Sequence, residues 1–451
     1  MLPLEFEECS ENEVRYGGKA YFTIVTDQGD TKKVETGVEF MYKEEVKGVT
    51  SGCSVIGTVT AENPKVIIKN GIVSVSALLI YKGKVITATE EEYVCDISGA
   101  NVKESEIEYT CLPQKYKADF TVEDEFELPL AITDVLWHGE KVKISEVSAG
   151  IGGVNVSGEV EVSMLVKSSD GSVSMHTKCV ELRFEGEASN VLPSSVAVVG
   201  AYVKGAKLSI TAYEQSSKSA VSAYITLQFN GVIYEVESAR LILDAYSTKK
   251  ELVLDKKDYL ITSIKGVKAY STPCEIEGLC KIPENARLIC PLFAKIESVE
   301  QVNYSGGVEL KGVITATLLV KEESALKTVK CPVNYSAKFQ GANLSLYQLS
   351  TSGFNANDLN GEITFNLTLN ATFVESEPIL VKGLRAVEEG EDLPVQDSAI
   401  TVCVPSPGDT LWELGKSLCV SEEEITKLND GLNFPLTGEE RVVIYREINK
   451  E

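Results

Sequence analysis

Only two histidines stand in the 451 residues, His138 and His176, and neither has a metal-ligand spacing or a Ser/Asp partner at a triad-like distance. Eleven cysteines, at 9, 53, 95, 111, 179, 274, 280, 290, 331, 403 and 419, include no C-x-x-C pair, and the closest two, Cys274 and Cys280, have no histidine nearby. Zinc sites need tighter ligand pairs, so the cysteines read as reduced, mostly buried thiols of a reducing compartment. No phosphate-binding loop, G-x-S-x-G elbow or H-E-x-x-H occurs. The acid runs Glu388-Glu389 and Glu422-Glu423-Glu424 read as a solvated linker and a helix N-terminus. The expectation is a chain with no catalytic residues, no metal and no cofactor: not an enzyme.

Charge narrows the partners. Sixty-seven acids against 43 bases give a formal charge of −24, a field that repels nucleic acid. The first residues, Met1 to Cys9, lack the basic and apolar regions of a signal peptide, and the longest apolar run, Val196 to Val203, is far too short to span a bilayer. A cytoplasmic protein with protein or neutral-glycan partners is expected, without nucleic acid or membrane insertion.

What must position any site is a β scaffold. Val154, Val156, Val160, Val162, Met164 and Val166 share one parity, interrupted in phase by Gly158, which is expected to mark a bulge or bend. Val308, Leu310, Gly312, Ile314, Ala316, Leu318 and Val320 repeat that string, and Gly18, Ala20, Phe22 and Ile24 form a weaker copy. A second alternating string follows each: Val73 to Tyr81, then Val221 to Phe229, then Ile363 to Phe373. Lys82-Gly83 and Asn230-Gly231 predict hairpin turns after the first two. The repeat is of domain scale. It places modules at 1–116, 117–254 and 255–388, an extended acidic linker at 389–397, and a tail at 398–451. The first module lacks the leader of roughly forty residues that opens the other two, being either a shortened module or a clipped gene start.

In the tail the pattern changes to β-α-α-β. Ile400 to Val404 predicts a strand. Asp409 or Thr410 can cap a helix carrying Leu411, Leu414 and Leu418, and Ser421 with Glu424 forms a capping box for a second helix. Arg441 to Tyr445 returns as a strand. Trp412 is read as packing the tail's core rather than stacking on a sugar.

Pro407-Gly408-Asp409-Thr410-Leu411-Trp412, Val420-Ser421, Ile425, Asn429, Leu436-Thr437-Gly438 and Val442 to Ile444 carry a resemblance of residues 398–447 to a LysM domain. Gly415 stands where that family usually has alanine. The resemblance implies a groove between two loops that binds N-acetylglucosamine glycans. Mapped here, its residues are Gly408, Asp409, Thr410 and Leu411 on one side, and Asn429, Asp430, Leu432, Asn433 and Pro435 on the other. Three β modules ahead of one LysM-like tail, with Asp244-Ala245-Tyr246-Ser247-Thr248-Lys249 joining modules two and three, resemble the SPOCS-domain, SipL-like family of spore-morphogenesis proteins of Firmicutes. That resemblance implies a spore-coat scaffold on the mother-cell side of the forespore, whose tail engages a protein, the coat-basement morphogenetic ATPase. The fold expected is therefore mainly β, with three tandem antiparallel β-sandwich-like modules plus a C-terminal α+β LysM domain. The function expected is a non-catalytic structural adaptor. The alternative is a peptidoglycan-binding protein of the cell wall or spore cortex.

Overall fold

The computed structural model describes residues 4–27, 31–212, 218–323, 325–359, 361–394 and 399–445. It is mainly β, with antiparallel sheets and two short helices. The first five strands are β1 (Leu4–Ser10), β2 (Glu13–Asp27), β3 (Thr31–Glu45), β4 (Ser54–Lys69) and β5 (Ile72–Ile86). They form a three-stranded sheet, β1-β2-β3, and a two-stranded one, β4-β5.

Next come β6 (Asn101–Leu128), β7 (Ile132–Gly150), β8 (Gly153–Ser168), β9 (Val173–Glu187), β10 (Val196–Ala212) and β11 (Ser219–Tyr246). They form sheets β7-β8-β9 and β10-β11-β6. The third stretch is β12 (Lys250–Pro273), β13 (Glu275–Glu277), β14 (Cys280–Lys281), β15 (Ala286–Tyr304), β16 (Gly307–Glu322), β17 (Ala325–Gln340), β18 (Leu344–Leu359) and β19 (Glu362–Asp392). Its sheets are β13-β17-β16-β15 and β12-β19-β14, with β18 also on β19.

Alternation explains the cores. Val154, Val156, Val160, Val162, Met164 and Val166 of β8 all point into one apolar cluster, where Val221, Ile225, Leu227 and Phe229 of β11 meet them. Leu310, Ile314, Leu318 and Val320 of β16 meet Ile363, Leu369 and Phe373 of β19 in a second cluster. Each such side chain removed from water contributes about 1.5–3 kcal/mol, so a one-residue slip of register would expose a whole face.

The in-phase glycines have a sharper role than a bend in their own strand. A Cβ on Gly158 would lie 2.1 Å from the Lys143 carbonyl oxygen, and one on Gly312 would lie 2.1 Å from that of Ser298. The register shifts fall on the neighbouring strands, at Ile144/Glu146 of β7 and Ile296/Ser298 of β15. A bulge there drives backbone toward the glycine, which alone leaves room for it.

Several expectations are corrected. Lys82-Gly83 and Asn230-Gly231 are not turns: Gly83 pairs with Gly57, and Asn230 and Gly231 pair with Gly200 and Val199 inside continuous strands. A Cβ on Gly231 would sit 2.1 Å from the Val198 carbonyl oxygen, so close cross-strand approach, not turn geometry, calls for glycine. The turn between β4 and β5 is Asn70-Gly71, with φ of 51° and 76°, the pair of positive values of a type I′ hairpin. The boundaries at 116/117, 254/255 and 388/389 fall inside β6, β12 and β19.

Compactness divides the chain differently. One unit comprises Met1–Ala88, Thr110–Val236 and Ile264–Glu377, and a second comprises Thr89–Tyr109, Glu237–Ser263 and Pro378–Glu451. Long strands pass from one unit into the other, which a pattern read along the chain does not register.

In the second unit the acidic stretch after Glu388 is strand through Asp392 rather than a solvated linker. Lys250 Nζ lies 2.5 Å from Glu389, and the Leu393 N–H donates to the Lys249 carbonyl at 2.8 Å. Val387 packs with Ile242, Ala245 and Leu384. Lysine partners and an apolar inner row overcome the like-charge repulsion that predicted extension. Residues 395–397 of that expected linker, and 398 of the expected tail, lie outside the described residues.

The cysteines differ too. Cys280 and Cys331 are disulfide-bonded, with Cα atoms 5.6 Å apart. Neighbouring strands bring together residues that chain spacing holds far apart. Cys95 and Cys179 are exposed. Among the described residues no helix is long and apolar enough to cross a membrane.

Candidate functional site

The tail consists of β20 (Ile400–Cys403), α1 (Leu411–Leu418), α2 (Glu422–Leu428) and β21 (Val442–Tyr445), with β20 antiparallel to β21. Leu414, Val420, Ile425, Leu436, Val442 and Ile444 make its core. Each helix opens on a capping box. Thr410 Oγ accepts from the Glu413 N–H while Glu413 accepts from the Thr410 N–H, and Ser421 and Glu424 do the same. Of the two cap candidates, Thr410 is the cap. Asp409 instead accepts from the Ser406 N–H at 2.7 Å, closing the preceding turn.

The two loops that the resemblance singles out are held side by side. The Gly408 N–H donates to the Leu436 carbonyl at 2.7 Å, and the Leu436 N–H donates to the Asp409 carbonyl at 2.9 Å. Gly408, Thr410, Asp430, Asn433 and Pro435 are exposed, while Leu411 and Leu432 lean on the core. Asn429 is committed elsewhere. Its Nδ2 donates to the Ile425 and Val443 carbonyls at 2.8 and 2.7 Å, and its Oδ1 accepts from the Val443 N–H at 2.7 Å. It therefore staples the end of α2 to β21, with both amide hydrogens engaged by backbone carbonyls.

Helix α1 also carries contacts that the sequence reading missed. Asp244, near the end of β11, accepts from the Trp412 indole N–H at 3.0 Å, from Lys416 through both oxygens at 2.7 Å, and from Lys256 at 2.9 Å. Burial would raise its pKa, but the hydrogen bonds from Lys416, Lys256 and Trp412 outweigh that and hold it down at about 2. Tyr246 meets the Trp412 ring edge-on at 5.0 Å, and its hydroxyl donates to the Val420 carbonyl at 2.8 Å. Trp412 thus packs against the end of β11 at Asp244 and Tyr246 and is not a member of the tail's own core cluster.

Gly415 now has a reason. A Cβ there would lie 2.5 Å from the Tyr246 hydroxyl oxygen and 2.9 Å from the Val420 carbonyl oxygen. Alanine favours an isolated helix over glycine by about 1 kcal/mol, yet two contacts under 3.0 Å must shift to admit it. Gly415→Ala is expected to loosen the tail: hydrogen–deuterium exchange over residues 411–420 should speed up at least tenfold, and exchange unchanged or slower would count against the role of Gly415.

Elsewhere, each histidine has a side-chain partner two residues away on its own strand. His138 Nδ1 lies 2.7 Å from Glu140, and His176 Nε2 lies 3.0 Å from Ser174. Burial, helped by Lys178, pulls the His176 pKa down. In the first unit Glu161 accepts from the Gly353 N–H at 2.8 Å, and Lys141 donates to Thr351 at 3.0 Å. The buried Glu161 and half-buried Lys141 clamp β18 onto β7 and β8, and their alternation on strands offered no signal apart from other surface charges. Among protein-family models, curated proteins and solved structures, none matches this chain.

Proposed function

We propose that the protein is a non-catalytic structural adaptor of a spore envelope, built from three β-sandwich-like repeats that set spacing and a LysM-like tail that takes a protein partner. The observation that carries this reading is the two-sided tail. One side of α1 is fastened to β11 through Asp244 and Tyr246, while the paired loops around Gly408 and Asn433 lie on a surface left accessible. A domain anchored on one side and open on the other transmits position rather than chemistry.

A protein partner is favoured over glycan. The tail carries eleven acids and five bases between Asp397 and Glu451, and Asn429, which the resemblance places in the sugar groove, has both amide hydrogens spent on backbone carbonyls. By resemblance, the partner is the coat-basement morphogenetic ATPase.

The test uses the full chain against two targets, the purified ATPase and insoluble peptidoglycan. Saturable binding to the ATPase, weakened at least tenfold by Asp430→Arg with Asn433→Arg, is the expected result. Co-sedimentation with peptidoglycan, lost in the same double variant, would replace the adaptor reading with the glycan one.

A further inference from the structure

The three repeats provide an internal standard for what each part of the scaffold needs. In the second repeat the strand β11 lies between β10 and the leader strand β6. Thr121 and Thr226 hydroxyls meet at 3.2 Å across the β6–β11 pair, and Ser222 donates to Glu125 at 3.1 Å. In the third repeat β19 pairs with the leader β12 as well as with β18. Ser271 donates to Asn370 at 2.8 Å, and Lys268 to Glu375 at 2.9 Å. The equivalent strand of the first repeat is β5, and among the described residues it pairs with β4 alone.

Burial records the difference. Val221, Ile225, Leu227 and Phe229 of β11 are each 0% exposed. Their counterparts Val73, Ala77, Leu79 and Tyr81 are only half-buried. On the same hairpin Ile72 is 68% exposed, Leu78 58% and Ile68 53%. An open strand edge beside uncovered apolar side chains is a site for strand addition.

Charge selects the strand. Ser54 to Ile86 holds four lysines, Lys65, Lys69, Lys82 and Lys84, against one glutamate, Glu62, in a chain whose formal charge is −24. A second copy would bring the same basic hairpin against itself. The leader β6 shows what complements such an edge. Ala118, Phe120, Val122, Phe126 and Leu128 face the core of its repeat, while Asp119, Glu123, Glu125 and Glu127 alternate with them on the exposed side.

We propose that the edge of β5 left open among the described residues is a docking site for an acidic, alternately apolar β-strand of a partner polypeptide. The site is separate from the tail, so a failed tail–ATPase experiment leaves it standing.

The probe is a synthetic peptide of residues 117–130 added to the full chain. Amide exchange over Ile72–Ile86 should slow at least tenfold at saturation. A peptide with Asp119, Glu123, Glu125 and Glu127 replaced by lysine should have no such effect, and Lys82→Glu with Lys84→Glu in the chain should weaken the acidic peptide at least fivefold. Three results would overturn the proposal: no slowing, equal slowing by the lysine peptide, or β5 amides in the free monomer already exchanging as slowly as those of β11. Protection that grows with protein concentration and without peptide would assign the edge to a second copy instead, and overturn it equally.

Discussion

Gly158→Val should cost the folded protein about 3 kcal/mol or more, the range of overpacked and strained core positions. The added Cβ meets the Lys143 carbonyl oxygen at 2.1 Å and the Ile144 Cα at 3.1 Å, both backbone atoms. Neither can turn aside as a long side chain would. Relief requires β7 to move off β8, which opens the valine cluster beneath. Gly312→Val should lose a similar amount, since the Ser298 carbonyl stands at the same 2.1 Å. Their strand neighbours, Val156 and Val160 against Leu310 and Ile314, belong to different core clusters, so the losses should add within about 0.5 kcal/mol. Gly205→Ala is the control: nothing lies within 4 Å of a Cβ there, and the change should stay within about 1 kcal/mol. Urea unfolding followed by circular dichroism measures the losses, and hydrogen exchange over residues 153–168 localises the first. A Gly158→Val protein as stable as the parent would show that the bulge does not press on the glycine.

Asp244→Ala is the second large effect. It removes the single acceptor shared by Trp412, Lys416 and Lys256. The indole N–H and both ammonium groups then lose this acceptor, and truncating a hydrogen-bonded charge of this kind costs about 2–4 kcal/mol. Faster exchange across residues 411–428 and a red-shifted Trp412 emission, read in a Trp137→Phe background, would report the loosened tail.

The pH dependence has a fixed sign. The Asp244 carboxyl is held at about 2 in the folded chain against an ordinary 3.8. Its contribution is therefore complete above pH 3.8 and is lost as pH falls from there toward 2. Allowing for solvent screening, it amounts to about 1–2 kcal/mol. The difference between the parent and Asp244→Asn should shrink across that interval and stay constant from pH 5 to 8. A difference that grew on acidification would contradict the assignment.

Much of the architecture was legible in one dimension. Period-two alternation in Val154 to Val166 and Val308 to Val320 specifies strands with one buried face, because successive side chains on a strand point to opposite sides whatever the fold. The Ser421/Glu424 capping box was readable for a similar reason: it satisfies helix-end amides within four residues of chain. The candidate groove was legible only as two loops, and the hydrogen bonds from Gly408 and Leu436 are what set them side by side.

Tertiary structure alone decided the rest. The same dipeptide type, Asn-Gly, is a turn at Asn70-Gly71 and mid-strand at Asn230-Gly231, because the second glycine answers a carbonyl from a strand some thirty residues away. Glu389 sits in a strand rather than a free linker because Lys250 comes to meet it. Asp244 looked like the end of a repeat unit and instead holds Trp412 and Lys416, far along the chain. Alternation and capping act between near neighbours and are written locally. Close approach, ion pairing and edge completion depend on which distant backbone arrives, and that is settled only when the chain folds.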